Sequence, residues 1–169
     1  MKSEPPMNDV PQVGISATLA DRIRQHGVEA YPYECCGALL GRDNDLVEVS
    51  GSETNGGIFS RCIRSLVPLV NRRDDSPRNR FSVTAEDVLQ AEKAARAQGL
   101  EVVGWYHSHP DHPAKPSDFD RDHAWPWYSY IIVSVHAGVP QDMTCWQLKD
   151  DRSGYIEEKI ETVIVSAAS

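Results

Sequence analysis

The sequence predicts an α/β fold, in which a mixed β-sheet is packed against helices within a single domain. Two observations predict it. Apolar segments of strand length recur along the chain, and two longer segments among them carry helix-start and helix-end residues. The length of 169 residues fits one domain with its own hydrophobic core. Hydrophobic residues make up 40% of the chain and charged residues 25%, which is ordinary for a globular protein.

Two helices are expected from the residues at their ends. The first begins after Ser16, an N-cap residue, and is expected to end near Gly27. The second begins after Thr84, where Asp87 can complete a capping box. It ends at Gly99, a residue type that favours the position just past a helix.

The other apolar segments are expected to form strands. They are 36–41, 45–49, 61–70, 100–107, 129–135, 144–148 and 155–165. Pro68 places its strand at an edge or a bend, because proline cannot donate to a strand ladder. Residues 50–57 are rich in Gly, Ser and Asn and predict a loop. Residues 1–13 are polar and proline-rich and are expected to be a flexible tail, which leaves 14–165 as the folded domain.

The charge balance limits the kinds of partner. The net charge is −8, from 17 Lys and Arg against 25 Asp and Glu. Nucleic acids and anionic membranes are bound through basic surfaces, so neither is expected as a partner. Arginines within 72–80 are interspersed with acids and predict a solvated surface loop. The sequence shows no apolar leader, no segment of membrane-spanning length and no Cys-x-x-Cys pair, so a cytoplasmic protein with reduced thiols is expected.

The segment 107–110, His-Ser-His-Pro, is the most informative part of the chain. Side chains alternate faces along a strand, so His107 and His109 point the same way, about 6.6 Å apart. Pro110 ends the strand at once, which predicts an exposed sheet end. Asp120 follows across a loop long enough to fold back. Two histidines, a carboxylate and an open position are typical of a catalytic zinc site, so one Zn²⁺ per chain is expected on His107, His109 and Asp120.

Other interpretations of these residues stay open. Ser117 and Asp120 have the spacing of a capping box, which would begin a short helix over 117–125. His112 and His123 lie close in sequence, and either could replace Asp120 as the third ligand. The tryptophans are expected to belong to the core or to the wall of a pocket. They are Trp105, Trp125, Trp127 and Trp146.

With these residues in place, the sequence resembles the JAMM (MPN+) family of zinc metalloproteases. The family signature is a glutamate, then His-x-His-Pro, then Ser-x-x-Asp, found here as Glu34, 107–110 and 117–120. The segments 35–41 and 103–106, which precede the signature histidines, match as well. The resemblance implies an MPN fold, with a curved mixed sheet flanked by helices and layered as in cytidine deaminases.

The resemblance also implies roles for two further residues. Glu34 would be the general base that activates the attacking water and then protonates the leaving amine. Ser117 would help to hold the tetrahedral oxyanion. Composition alone would make Glu34 a surface acid before a strand.

The same resemblance suggests a substrate. The family cleaves peptide or isopeptide bonds after the C-terminal glycines of ubiquitin-like proteins. Only eight residues separate Asp120 from Ser129, which leaves little room for the insert that grips ubiquitin in eukaryotic members. The short form resembles prokaryotic members that remove cysteine or another residue from a sulfur carrier. The expected partner is therefore a small ubiquitin-like sulfur-carrier protein ending in Gly-Gly.

Three other functions are weighed against this one. The first is a non-catalytic MPN scaffold, although such proteins lack some of the ligands that this chain keeps. The second is a module that binds the carrier tail without cutting it. The third is a cysteine hydrolase built on Cys36, which would need a cationic or helix-start environment that the sequence does not show.

Overall fold

The computed structural model describes residues 12–49, 57–70 and 83–164. The elements in chain order are β1 (Gln12–Ile15), α1 (Ala17–Ala30), β2 (Cys36–Val49), β3 (Gly57–Leu69), α2 (Ala85–Ala97), β4 (Glu101–Pro110), α3 (Asp118–His123), β5 (Ser129–His136), β6 (Val139–Leu148) and β7 (Tyr155–Ile164). The arginine loop expected over 72–80 lies outside the described residues, as does most of the loop expected over 50–57. No helix of the described segments is both long enough and apolar enough to cross a membrane.

The strands form a mixed sheet that closes into a barrel. Their order around it is β1-β3-β2-β4-β5-β6-β7, and β7 pairs with β1 to complete the circle. The pairs β1–β3, β1–β7 and β4–β5 are parallel, and the other neighbours are antiparallel. The expected α/β fold with a curved mixed sheet is confirmed, and the curvature continues to full closure.

The two long helices pack on opposite faces of the central strands. One apolar cluster joins α1 to Leu39, Tyr106 and Ile131, and the other joins α2 to Ala38, Trp105 and Tyr130. Successive residues of a strand face opposite sides, so His107 and His109 share the face of Trp105. The strand pattern therefore directs both histidines to the α2 side of the sheet.

The helix starts agree with the expected caps. The Ser16 hydroxyl accepts a hydrogen bond from the Leu19 N–H at 3.2 Å. Thr84 and Asp87 form the reciprocal capping box, with distances of 3.1 and 3.0 Å. Gly99 follows α2 with φ of +67°, a left-handed conformation that favours glycine.

The first helix was expected to end near Gly27, and α1 ends three residues later, at Ala30. Gly27 is buried where the helix meets the barrel. A Cβ at this position would lie 3.0 Å from Val135 Cγ2 and 3.4 Å from Ser108 Cβ. The glycine therefore permits close packing of α1 against β4 and β5 rather than ending the helix.

The folded part of the chain begins earlier than the expected tail 1–13 allows. Strand β1 starts at Gln12, and Val13 is fully buried. Val13 pairs with Arg61 on one side and with Ile160 on the other. A short strand between two parallel neighbours is fixed by pairing that the local sequence does not show.

Strand β2 joins two segments that were expected to be separate strands, 36–41 and 45–49. It runs through both, with a shift in its register to β3 after Leu40. Pro68 of β3 pairs with β2, beyond Ile63, where the pairing of β3 with β1 ends. Pro68 therefore occupies the edge position that was expected.

Candidate metal centre

Three ligand atoms converge at the end of β4. His107 Nε2 lies 3.1 Å from His109 Nε2 and 3.3 Å from Asp120 Oδ2, and the third side of the triangle measures 3.2 Å. Within the described segments, these residues are the one group of three His, Cys, Asp or Glu side chains placed to hold a metal ion. Nitrogen and oxygen ligands at about 2.0–2.1 Å from a tetrahedral zinc lie roughly 3.3 Å apart. The triangle therefore has the size of one face of a zinc tetrahedron.

The ring of His109 is oriented by the loop that follows β4. Its Nδ1 lies 2.8 Å from the Pro113 carbonyl oxygen. A carbonyl only accepts, so Nδ1 carries the proton and Nε2 keeps the lone pair that points into the triangle. Such a hydrogen bond on the far side of a ligating imidazole is typical of metal sites. Sequence reasoning missed Pro113, because its role depends on a main-chain carbonyl.

Asp120 is held by the capping box of α3. The Ser117 hydroxyl accepts from the Asp120 N–H at 3.1 Å, and the Ser117 N–H donates to Asp120 Oδ2 at 2.9 Å. The same Oδ2 faces both imidazoles. Capping and metal binding are therefore compatible functions of one carboxylate. The Ser117 oxygen accepts in the cap, so its own proton can be donated elsewhere.

Both histidines are buried, which corrects the expected exposed sheet end. His107 is 1% exposed and His109 7%, because β4 lies between β2 and β5. Burial lowers the pKa of His107, which Asp120 only partly offsets. The neutral imidazole is the form that a metal ion binds.

Asp120 carries the negative charge of the cluster. Burial opposes its ionisation, but the adjacent His107 imidazole and the hydrogen bond from the Ser117 N–H outweigh this and hold the pKa of Asp120 well below its usual range. An ionised carboxylate beside two imidazoles is a favourable ligand set for a divalent zinc ion.

Glu34 lies beside the cluster because β2 pairs with β4. The Cys35 N–H donates to Ser108 Oγ at 2.8 Å, and the Ser108 N–H donates to the Cys35 carbonyl at 3.2 Å. Continuing this register by one more residue, beyond the terminal ladder pair of Cys36 with His107, would place Glu34 opposite His109 and on the same face. Glu34 is 4% exposed, so it is not the surface acid that composition alone suggests.

Among the candidates for the third ligand, the structure places Asp120 beside the two strand histidines. His123 Nδ1 donates to the Phe119 carbonyl at 2.8 Å, and its ring stacks on Phe119. His112 is exposed, and Asp120 alone completes the triangle with the two strand histidines. Burial raises the pKa of Cys36 to about 12, so its thiol is not a ready nucleophile.

A cavity of about 840 Å³ opens beside the cluster. His107 and Asp120 form part of its wall, and most of the remaining wall is apolar or aromatic. Its aromatic residues include Trp105, Trp125, Trp127 and Tyr128. Sequence reasoning expected tryptophans in a pocket wall without linking them to the metal centre. The cluster Trp-Pro-Trp-Tyr directly after α3 was the available signal.

Comparison with known proteins agrees with this geometry. The family model "Prokaryotic homologs of the JAB domain" matches residues 16–149. A desampylase from Haloferax volcanii is 30% identical over 128 residues, which are 73% of this chain and 81% of the relative. The Lys-63-specific deubiquitinase BRCC36 of Mus musculus is 27% identical over 111 residues, 56% of this chain but 38% of its own. A solution structure of a Salinibacter ruber protein is 39% identical, with a TM-score of 0.63 over 92% of this chain and 95% of that one.

The matched segment includes every residue of the signature, from Glu34 through the two histidines to Ser117 and Asp120. It covers well over half of the chain. The resemblance to the JAMM/MPN family is thereby confirmed. The chain belongs to the family of prokaryotic homologues of the JAB domain.

Proposed function

We propose that the protein is a zinc-dependent peptidase or isopeptidase that hydrolyses the amide bond after the C-terminal Gly-Gly of a small ubiquitin-like protein and releases cysteine or a conjugated residue or peptide. The observation that carries this proposal is the triangle of His107, His109 and Asp120. The signature glutamate, Glu34, is buried two residues before Cys36, which pairs with His107. Three protein ligands leave the fourth corner of a tetrahedron open, which is typical of catalytic rather than structural zinc.

The residues around the triangle have separate tasks in this reaction. A bound zinc ion supplies Lewis acidity, which lowers the pKa of water and polarises the scissile carbonyl. Glu34 takes the proton from the attacking water and passes it to the leaving amine. The Ser117 hydroxyl donates a hydrogen bond to the developing oxyanion, which its role as a hydrogen-bond acceptor in the cap permits. The Pro113 carbonyl keeps His109 in the ligating tautomer.

We further propose that the substrate is a sulfur carrier and that the enzyme acts in the cytoplasm. Two relatives are named as a desampylase and as a deubiquitinase, which supports a substrate of the ubiquitin-like class. Only residues 124–128 connect α3 to β5, which supports a small partner rather than one gripped by a long insert. The cysteines are free and buried, which suits a reducing compartment.

The first test is the zinc content of the purified protein after mild dialysis, measured by elemental analysis. We expect one zinc per chain in the wild type and its loss in His109→Ala. His136→Ala is the matched control, because the His136 side chain is 70% exposed on β5. This variant should keep its zinc. Absence of zinc from the wild type, even after zinc is offered, would overturn the proposal.

The second test separates hydrolysis from binding. Wild type and Glu34→Gln are incubated with a ubiquitin-like carrier fused through Gly-Gly to a reporter peptide. We expect cleavage by the wild type and none by Glu34→Gln, with zinc retained in both. Zinc binding without cleavage by the wild type would favour the alternatives, a non-catalytic scaffold or a module that binds the carrier tail. Unchanged turnover in Glu34→Gln would refute its role as the base.

A further inference from the structure

A ladder of aromatic rings leads from the metal centre to the surface. The ring centroid of Trp105 lies 5.8 Å from that of Tyr128, and Tyr128 lies 5.7 Å from Trp127. Trp127 stacks on Trp125 at 5.5 Å. Trp105 is 3% exposed, whereas Trp125 and Trp127 are 54% and 58% exposed. Trp105 shares a face with His107, so this aromatic ladder joins the ligand cluster to solvent along the cavity wall.

The segment that carries the exposed tryptophans, 125–127, is held in place by three strands. The Trp125 N–H donates to the Tyr130 hydroxyl of β5 at 2.7 Å. The Gln147 side chain of β6 donates to the Pro126 carbonyl at 3.0 Å. Arg61 of β3 donates to the Trp127 carbonyl at 3.0 Å. Arg61 is itself held by a salt bridge to Asp43 at 2.7 Å. Large apolar side chains exposed on a fixed backbone bind a ligand with little cost of ordering.

The size and lining of the cavity do not match a glycine tail. Its volume of about 840 Å³ lies in the range of sites that enclose a small molecule. In the proposed reaction, the acyl side of the scissile bond is Gly-Gly, which has no side chains to fill such a space. The wall of the cavity includes His107 and Asp120, so the group that enters it lies next to the bond that is cut. Of the two residues joined by that bond, only the one on the amine side has a side chain.

Few of the described residues in the cavity wall are acidic or basic, and one of them, Arg152, already donates hydrogen bonds to main-chain carbonyls. Arg152 donates to the carbonyls of Ala124 and Arg121 at 2.9 and 3.0 Å, at the end of α3. Among the described residues, and apart from the histidines, the other acidic or basic wall residues are Asp122 and the candidate ligand Asp120. A charged leaving side chain would lose its hydration against the aromatic wall, and the described residues of the wall offer it few charged partners.

We propose that this cavity is the leaving-group subsite, and that it selects substrates whose released residue has an aromatic or large aliphatic side chain. The inference rests on the proposed function and adds to it the chemistry of the released residue. Trp125 and Trp127 form the outer wall of the subsite, and Trp105 forms its base beside the metal centre.

The test uses carrier fusions that end in Gly-Gly-X, where X is Phe, Leu, Ser or Asp before a common reporter peptide. We expect kcat/KM to be about tenfold or more higher for Phe and Leu than for Ser and Asp. The Phe-to-Ser ratio should fall towards one in Trp125→Ala and Trp127→Ala, and Trp127→Phe should restore most of it. Val139→Ala is the control, because Val139 is 55% exposed and lies outside the cavity wall. Thermal unfolding of each variant is measured to check that it is folded.

A second readout needs no turnover. Saturation-transfer NMR compares phenylalanine amide with serine amide, each mixed with the zinc-loaded protein. A signal for phenylalanine amide alone, lost in Trp125→Ala and Trp127→Ala, supports the subsite. Equal signals for the two amides, or equal cleavage of all four fusions, would overturn the subsite and leave the hydrolase intact. Cleavage of no fusion would overturn the proposed function, which is a different outcome.

Discussion

Ser117 has two tasks that substitution can separate. As the N-cap of α3, its hydroxyl oxygen accepts a hydrogen bond from the Asp120 N–H at 3.1 Å. In the proposed reaction, the same hydroxyl donates a hydrogen bond to the oxyanion. Alanine removes both functions, whereas glycine removes the hydroxyl but is tolerated at an N-cap. In both variants the N–H of residue 117 can still donate to Asp120 Oδ2, so the metal ligand keeps this restraint.

The two tasks differ in magnitude. Loss of an N-cap costs about 1 kcal/mol of unfolding free energy in the alanine variant and a few tenths in the glycine variant. For a domain of this size, about 1 kcal/mol lowers Tm by roughly 2–4 °C. Loss of a preorganised oxyanion donor lowers kcat by about 10²–10³. We therefore expect Ser117→Ala and Ser117→Gly to lose the same activity but to differ in Tm.

Three measurements on each variant decide the matter: kcat on the carrier–reporter fusion, Tm by circular dichroism, and zinc content. Both variants should keep one zinc per chain. Ser117→Thr, which retains both the cap and the hydroxyl, should keep most of the activity. If Ser117→Gly retains the wild-type kcat, or if kcat falls in proportion to Tm across the series, Ser117 acts as a cap and not as the oxyanion donor.

Three further outcomes are expected. Zinc at about 1,000 times its Kd stabilises the folded state by about 4 kcal/mol. A chelator should therefore lower the Tm of the wild type by roughly 8–16 °C and leave that of His109→Ala unchanged. Equal shifts in both would contradict His109 as a ligand. Burial raises the pKa of Glu158 despite a hydrogen bond from Ser129, so the wild type should lose stability as the pH rises through the interval between the unfolded and folded pKa values. The neutral Glu158→Gln should therefore have a higher urea midpoint than the wild type at pH 7 and a similar one near pH 4, and parallel pH profiles would refute this reasoning. A Cβ in Gly104→Ala would collide with the Ser129 carbonyl oxygen, so we expect a loss of about 2–3 kcal/mol by urea unfolding. Gly154→Ala, whose Cβ meets no atom within 4 Å, should stay within about 0.5 kcal/mol of the wild type, and similar losses in both would contradict the packing argument.

The part of the site that the sequence predicted is governed by short-range rules. Alternation along a strand places His107 and His109 on one face, and Pro110 is the last residue of β4, as expected. The capping box of Ser117 and Asp120 forms as its spacing indicates. These features depend on neighbours within four residues, so a local pattern is sufficient to predict them.

Features that depend on distant partners were decided by the tertiary structure. Glu34 is 73 residues before His107 and joins the site only through the pairing of β2 with β4. Glycine is a residue type that often follows the end of a helix, but Gly27 packs against β5 and lies within α1. The exposure of Trp125 and Trp127 likewise follows from hydrogen bonds to three strands.

By itself, the sequence determined the helix caps, the strand pattern and the three candidate ligands. The tertiary structure decided which strands pair, that the sheet closes, and that the ligands are buried beside an aromatic cavity. Dihedral preferences, side-chain periodicity and capping act over a few residues, so the local order of residues reveals them. Strand register, burial and close packing depend on surfaces that meet only when segments far apart in the chain come together.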